Sequence, residues 1–134
     1  MTTFRILQAA ELLGVSDDTV RRWVEGGRIA STSDDAGRQA IDGAVLAKLA
    51  EELAAENPLK TPRISRQSAR NQFTGLVTKV VRDTVMAQVE IQAGPFRVVS
   101  LMSREAADAL DLQPGVLAVA SVKSTNVVVE IPES

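Results

Sequence analysis

The stretch Asn57-Pro58-Leu59-Lys60-Thr61-Pro62-Arg63 divides the 134-residue sequence into two parts of different character. Two prolines in five residues stop a helix and favour an extended linker. The sequence before this stretch is rich in Ala, Leu and Glu, whereas after position 72 it is rich in Val with alternating hydrophobicity. We therefore expect two small domains, at residues 1–57 and 67–134, joined by a linker at residues 58–66. Domains of about 60 residues are marginally stable, so we also expect a homo-oligomer.

The composition excludes several classes of site. Without Cys or His the chain has no disulfide, thiolate zinc site, thiol nucleophile or imidazole base. Only four aromatic residues are present, too few for a base-stacking platform for single-stranded nucleic acid. We find no nucleotide-binding loop, nucleophile elbow or cation-ligand cluster, so we expect neither an enzyme nor a metal-cation site. No apolar run is long enough to cross a membrane and no signal segment is present, so we expect a cytoplasmic protein without membrane partners.

The first part of the chain is predicted to be mostly helical. Gln8–Leu13 is a short helix that ends at Gly14, because glycine adopts the left-handed backbone of a helix end. Ser16 is a suitable N-cap for a second helix, in which Val20, Trp23 and Val24 share one face. A hairpin around Ser33–Gly37 and a third helix from Asp42 to about Glu56, with Leu46, Leu49 and Leu53 on its buried face, complete this part.

The second part is predicted to be mostly strands. The alternation of Val85, Ala87, Val89 and Ile91 is typical of a half-buried strand. The predicted strands are Phe73–Val81, Val85–Ile91, Phe96–Leu101, Val116–Val122 and Asn126–Ile131, with one short helix at Ser103–Leu110. Five strands in about 60 residues indicate either a small barrel of the oligonucleotide/oligosaccharide-binding (OB) kind or a sandwich. The predicted fold class is therefore α+β.

Helix, glycine-containing turn, helix and hairpin follow one another in the order of a helix-turn-helix with a wing. The stretch Phe4–Leu53 resembles the MerR-type and excisionase-type winged DNA-binding domain. The residues that carry the resemblance are Ala9-Ala10-Glu11-Leu12-Leu13-Gly14-Val15-Ser16, Thr19-Val20-Arg21-Arg22-Trp23 and Gly26-Gly27-Arg28-Ile29. The resemblance implies contacts with double-stranded DNA by Thr19, Arg21 and Arg22 on the second helix and by Arg28 and Arg38 at the wing.

An alternative interpretation applies to each arginine. Arg21 and Arg22 could pair with Asp17, Asp18 and Glu25 on a solvated face and contribute little. The wing also differs from the family pattern, because it holds Asp34 and Asp35 where the family is usually basic. Acidic side chains repel phosphates, so we expect a weakened contact with DNA at this position.

Ser68–Ile131 resembles the molybdate-binding Mop module of the TOBE class. The residues that carry the resemblance are Ser68-Ala69-Arg70-Asn71-Gln72-Phe73-Thr74-Gly75, Met102-Ser103-Arg104-Glu105-Ala106, Leu110-Asp111-Leu112-Gln113-Pro114-Gly115 and Val122-Lys123-Ser124-Thr125-Asn126-Val127. The resemblance implies a small OB-like barrel that binds molybdate or tungstate at subunit interfaces. The implied oxyanion-binding residues are Ser68, Arg70, Asn71, Ser103, Arg104, Lys123 and Ser124, with Ser68 and Arg70 from one chain and Ser103, Lys123 and Ser124 from another.

The chemistry of these residues suits such a ligand. A dianion with four acceptor oxygens needs convergent donors and positive charge, which serine hydroxyls, Arg70 and Lys123 can supply. The first backbone N–H groups of the short helix, at Ser103–Glu105, are further candidate donors. Ala106 stands where many family members have Ser, so one hydroxyl contact of the family is absent. Taken singly, Ser68, Lys123 and Ser124 could instead be a turn cap, a solvated strand residue and a hairpin corner.

Together the two parts predict a molybdate- or tungstate-responsive transcription regulator. The first domain would bind a DNA operator, and the second would form a homo-oligomer, a dimer or a trimer of dimers, around the oxyanion. The alternative is an oxyanion storage or buffering protein whose helical domain does not bind DNA. The acidic balance of residues 1–57, ten acidic against six basic side chains, favours that alternative.

Overall fold

The structure is a computed structural model that describes residues 2–56 and 70–133. The chain divides into two compact units, residues 1–58 and 59–134. The predicted linker at residues 58–66 lies outside the described residues. None of the helices in the described ranges is long and apolar enough to cross a membrane.

The N-terminal unit packs three helices against a small antiparallel sheet. Its elements are β1 (Thr3–Arg5), α1 (Ile6–Leu13), α2 (Asp17–Glu25), β2 (Thr32–Ser33), β3 (Gln39–Asp42) and α3 (Gly43–Glu56). The strand order is β1-β3-β2, and Phe4 pairs with Ile41. The three predicted helices and the hairpin are present, whereas β1 was not predicted because three residues are too few to show a period. The core consists of Ile6, Ala9, Ala10, Val20, Ile29, Ile41, Leu46 and Leu49.

The turn between α1 and α2 follows local rules. Gly14 has a φ of 71°, a left-handed conformation, and the N–H of Val15 donates to the carbonyl oxygen of Ala10 at 3.0 Å. Ser16 caps α2, because its Oγ accepts a hydrogen bond from the N–H of Thr19 at 3.2 Å. Val20 is fully buried on the inner face of α2, which fixes the opposite face toward solvent.

The C-terminal unit is an antiparallel sheet with one short helix. Its elements are β4 (Asn71–Arg82), β5 (Met86–Ala93), β6 (Phe96–Ser103), α4 (Arg104–Ala109) and β7 (Leu117–Val122), followed by a 3-10 turn at Ser124–Asn126. The strand order is β6-β5-β4-β7. Gly75 allows β4 to pass close to β5, because a Cβ at this position would lie 2.3 Å from the carbonyl oxygen of Gln92. The buried core consists of Val77, Val89, Ile91 and Leu112.

The prediction of an α+β fold is confirmed, because helices form most of the N-terminal unit and an antiparallel sheet forms most of the C-terminal unit. One predicted element differs. The expected fifth strand, Asn126–Ile131, is not formed, so the sheet has four strands among the described residues rather than five. A strand needs a neighbour for its N–H and C=O groups, and none of the described strands pairs with this segment.

Candidate functional sites

The outer face of α2 carries the predicted DNA-contacting residues. Arg21 forms an ion pair with Asp17, with 2.6 Å between Nη1 and Oδ2, and lies 3.6 Å from Asp18. The hydrogen bond from Arg21 lowers the pKa of Asp17 below its usual value. Arg22 instead donates to the Oγ1 of Thr19 at 3.3 Å. Within the described ranges no carboxylate lies within ion-pair distance of Arg22, so its charge is available to a ligand.

The wing arginines are held by carboxylates. Asp34 accepts hydrogen bonds from the backbone N–H groups of Ala36 and Arg38, both at 2.9 Å, and pairs with the Nε of Arg38 at 3.1 Å. The bond from the backbone of Arg38 is the largest cause of a lowered pKa at Asp34. This carboxylate therefore shapes the wing turn, a role that the sequence analysis did not assign to it, although an Asp side chain that bonds the backbone two residues on is a known turn signal.

Arg28 connects three parts of the N-terminal unit. Its guanidinium carbon lies 5.1 Å from the centre of the Trp23 ring, and its Nη2 lies 3.1 Å from the Oε1 of Glu56. Trp23 is on α2 and Glu56 is the last residue of α3. Nothing in the local sequence predicts a pair separated by 28 residues. Arg28 thus has a structural role, and a phosphate would compete with Glu56 for it.

Four predicted oxyanion residues, Arg70, Asn71, Lys123 and Ser124, lie at one end of the sheet of the C-terminal unit. Asn71, the first residue of β4, is opposite Val122, the last residue of β7, and its Nδ2 donates to the Val122 carbonyl oxygen at 3.1 Å. Continuing this register by one residue places Arg70 opposite Lys123, and Ser124 begins the following turn. Neither Arg70 nor Lys123 has a carboxylate partner among the described residues. Two adjacent exposed cations without a counterion favour an anionic ligand.

Ser103 and Arg104 lie at the other end of the same sheet. Ser103 is opposite Met86, next to the pair formed by Ala87 and Arg82 at the end of β4. Asn71 and Arg82 are the two ends of a 12-residue strand, so by register the two groups of candidate residues are separated by roughly 35 Å of extended chain. Ser68 lies outside the described residues.

The donors around α4 are already used within the chain. The N–H of Arg104 donates to the carbonyl oxygen of Val85 at 2.7 Å, and that of Ala106 donates to the Oγ of Ser103 at 3.1 Å. The side chain of Arg104 donates to the carbonyl oxygen of Asp83 at 3.0 Å and lies 3.7 Å from Asp108. These two backbone N–H groups are therefore not free for an anion, although the Ser103 hydroxyl can still donate its own proton.

Two domain families match this chain, one in each of the two compact units. Residues 4–52 match a helix-turn-helix domain family, and residues 67–129 match the TOBE domain family. The MerR-type and excisionase-type assignment stays a prediction. A comparison with curated proteins gives no match.

Three solved structures are similar to about half of this chain. A molybdate-binding protein from Sporomusa ovata is 30% identical over 49% of this chain and 98% of that protein, with a TM-score of 0.48. MopII from Clostridium pasteurianum is 33% identical over 49% of this chain and 100% of that protein, with a TM-score of 0.46. The cytoplasmic molybdate-binding protein ModG is 35% identical over 50% of this chain, with a TM-score of 0.48. The match covers 48% of the length of ModG.

The sequence identity extends over essentially the whole length of the first two of these proteins. Together with the matched residues 67–129, it shows that this chain belongs to the TOBE domain family, with a helix-turn-helix domain on its N-terminal side.

Proposed function

We propose that this protein is a transcription regulator that binds molybdate or tungstate with its C-terminal unit and an operator in double-stranded DNA with its N-terminal unit. The observation that carries the proposal is the pair of uncompensated cations, Arg70 and Lys123, at the Asn71 end of the sheet. A cytoplasmic location and a binding role rather than a catalytic one are part of the same proposal.

The chemistry at this end of the sheet suits a tetrahedral dianion. Arg70 and Lys123 offer N–H donors and positive charge, and Ser124 offers a hydroxyl. The hydrogen bond between Asn71 and Val122 keeps β4 and β7 in register, so the two cations stay near each other. The protein from Sporomusa ovata and the protein ModG are both described as molybdate-binding, which supports the choice of ligand.

The sheet geometry supports a site that is shared between chains. Ser103 and Arg104 cannot reach Arg70 and Lys123 of the same chain if the strand between them is extended. All the predicted ligand residues can surround one oxyanion only if at least two chains contribute them. We therefore propose a homo-oligomer, a dimer or a trimer of dimers, in which the anion is bound at an interface.

DNA binding would depend first on Arg22 and Thr19. Arg21, Arg28 and Arg38 each have a carboxylate partner. A DNA phosphate must displace that carboxylate before it can form a full ion pair with the arginine. A single N-terminal unit would then bind DNA weakly, and several units joined in one oligomer would bind more tightly. Oxyanion binding would stabilise one arrangement of subunits, and that arrangement would set the spacing of the DNA-binding units.

The second candidate function is oxyanion storage without DNA binding. It is favoured by the same three ion pairs, which leave few free cations on the predicted DNA-contacting face. Both functions require the oxyanion, so they differ only in the need for DNA.

One pair of measurements tests the proposal. Calorimetry of the full chain should show heat on addition of molybdate or tungstate and far less with sulfate. A gel shift should show preference for DNA from upstream of the protein's own gene over a random duplex, and molybdate should change the affinity. Absence of heat with either oxyanion would refute both functions. Heat without any DNA preference would leave storage as the function.

A further inference from the structure

Two open cavities border Arg21 on the surface of the N-terminal unit. One lies along α2 and is lined by Ser16, Asp18, Arg21, Arg22 and Glu25. The other has a volume of about 300 Å³ and is lined by Arg5, Ile6, Leu7, Arg21 and Gln39. Because Arg21 lines both of them, the two cavities lie side by side on one surface.

The two cavities differ in charge. The cavity along α2 has two arginines and two carboxylates in its lining, so the formal charges cancel. The cavity at Arg5 has two arginines and no carboxylate among the described residues that line it. Asp17 offsets the charge of Arg21 at 2.6 Å, whereas no carboxylate in the part of the chain that the structure describes lies within ion-pair distance of Arg5. Arg5 therefore has, like Arg22, a charge that is available to a ligand.

The backbone holds Arg5 in a fixed position at this surface. Arg5 is the last residue of β1, where it pairs with Ala40 of β3. Its N–H donates to the Oε1 of Gln8 at 3.0 Å, which joins it to the first turn of α1. The next residue, Ile6, is buried in the core, whereas Arg5 itself is exposed. The guanidinium therefore reaches solvent from a backbone that is bonded to both β3 and α1.

We infer that Arg5 is a further DNA-contacting residue, which binds a backbone phosphate of the same duplex that Arg22 contacts. An arginine on a fixed backbone suits this ligand, because its planar fork donates parallel N–H bonds to phosphate oxygens. A duplex seated on α2 brings its backbone past Arg21 and so to the neighbouring cavity at Arg5. This inference rests on the proposed DNA binding and extends the contact surface from α2 to the start of α1.

The two uncompensated arginines should differ in what they contribute. A phosphate contact fixes the position of a protein on DNA but does not read the base sequence. Loss of Arg5 should therefore weaken binding to every duplex by the same factor. Loss of Arg22 should instead remove the preference for one sequence over another.

The first test compares Arg5→Ala with Lys48→Ala in the full chain, by fluorescence anisotropy with an upstream and a random duplex over a series of salt concentrations. Loss of one phosphate contact lowers the magnitude of the salt slope by about 0.9 for each N-terminal unit on the DNA, which corresponds to about an eightfold rise in Kd at about 0.1 M salt. Arg5→Ala should show this change with both duplexes. Lys48, an exposed lysine on α3 without a carboxylate partner among the described residues, lines neither cavity, so Lys48→Ala should keep the wild-type slope.

Two further variants separate a lost phosphate contact from a damaged fold. Arg5→Lys keeps the positive charge and should retain most of the salt slope. Gln39→Lys adds a cation to the same cavity, so it should steepen the salt slope by about 0.9 for each unit and tighten binding to both duplexes. A gain in affinity cannot result from loss of folding.

The outcomes are distinct. A wild-type chain that binds no duplex would refute the proposed DNA binding and this inference with it. If wild type prefers upstream DNA and Arg22→Ala removes that preference, an Arg5→Ala chain with the wild-type slope and Kd would refute only the inference. Equal losses in Arg5→Ala and Lys48→Ala would also refute it, because the net charge of the unit would then control binding. So would an Arg5→Lys chain as weak as Arg5→Ala, or a Gln39→Lys chain that binds no more tightly than wild type.

Discussion

Replacement of Lys123 by alanine should weaken molybdate binding while leaving the fold intact. Lys123 and Arg70 flank Asn71 and Val122, the last pair of β4 and β7, and neither side chain has a carboxylate partner in the described ranges. The substitution removes a charged hydrogen bond to the anion, which is worth about 1.5–3 kcal/mol and corresponds to roughly a tenfold to hundredfold rise in Kd. It also removes the repulsion between two adjacent cations in the free protein, so the melting temperature without ligand should not fall.

The matched control for this experiment is Lys79→Ala. Lys79 is an exposed lysine on β4 without a carboxylate partner among the described residues, so the variant loses the same charge from the same sheet. Calorimetric titrations of wild type and both variants with molybdate, at about 0.15 M salt, separate a local contact from a general charge effect. Equal weakening by both substitutions would show that only the net charge matters. An unchanged Kd in Lys123→Ala would refute the position of the site.

Four further predictions follow from the two units. Arg22→Ala should abolish the preference for upstream DNA in a gel shift, whereas Arg21→Ala should reduce that preference less, because Asp17 and Asp18 already offset the charge of Arg21. A larger effect of Arg21→Ala than of Arg22→Ala would contradict the role of Arg22. Gly75→Ala should lower the free energy of unfolding, measured with urea, by about 1–3 kcal/mol or more, because its Cβ would lie 2.3 Å from the backbone of Gln92. An unchanged midpoint of urea unfolding would contradict that contact. Asp83 accepts hydrogen bonds from the N–H groups of Met86 and Val85, which lower its pKa below 3.8, so Asp83→Ala should destabilise the chain at neutral pH. The difference in unfolding free energy between wild type and variant should disappear as the pH falls through the lowered pKa. A difference that stays constant with pH would exclude the ionised carboxylate as its cause. Molybdate at about 100 times its Kd should stabilise the bound form by roughly 2.7 kcal/mol per site and raise the melting temperature, and a flat response in thermal unfolding would count against the site.

Local rules in the sequence determined much of the N-terminal unit. The end of α1 at Gly14, the cap of α2 at Ser16 and the burial of Val20 each depend on residues within one or two turns, so the sequence alone predicts them. The helix-turn-helix assignment followed from the same short-range pattern. The strand β1 had no such signal, because among the described strands it pairs with β3 alone, more than 30 residues later.

The candidate oxyanion residues came from motif resemblance, and their arrangement depends on long-range pairing. Asn71 is opposite Val122 across 51 residues, so Arg70 and Lys123 flank this last pair, and the same sheet places Ser103 at its other end. A sequence pattern specifies which face of a strand is apolar, but the register between distant strands is decided by how the whole sheet packs.

The formation of a strand at Asn126–Ile131 depends on the local sequence and also on tertiary structure. Its sequence, rich in β-branched residues, predicted the strand Asn126–Ile131, and that prediction was wrong. Whether such a strand forms depends on a partner for its backbone, and the described part of this chain supplies none. The sequence by itself therefore determined the propensity of Val127–Ile131, and only the tertiary structure decided that the segment stays unpaired, because hydrogen bonding between strands is a property of two segments rather than one.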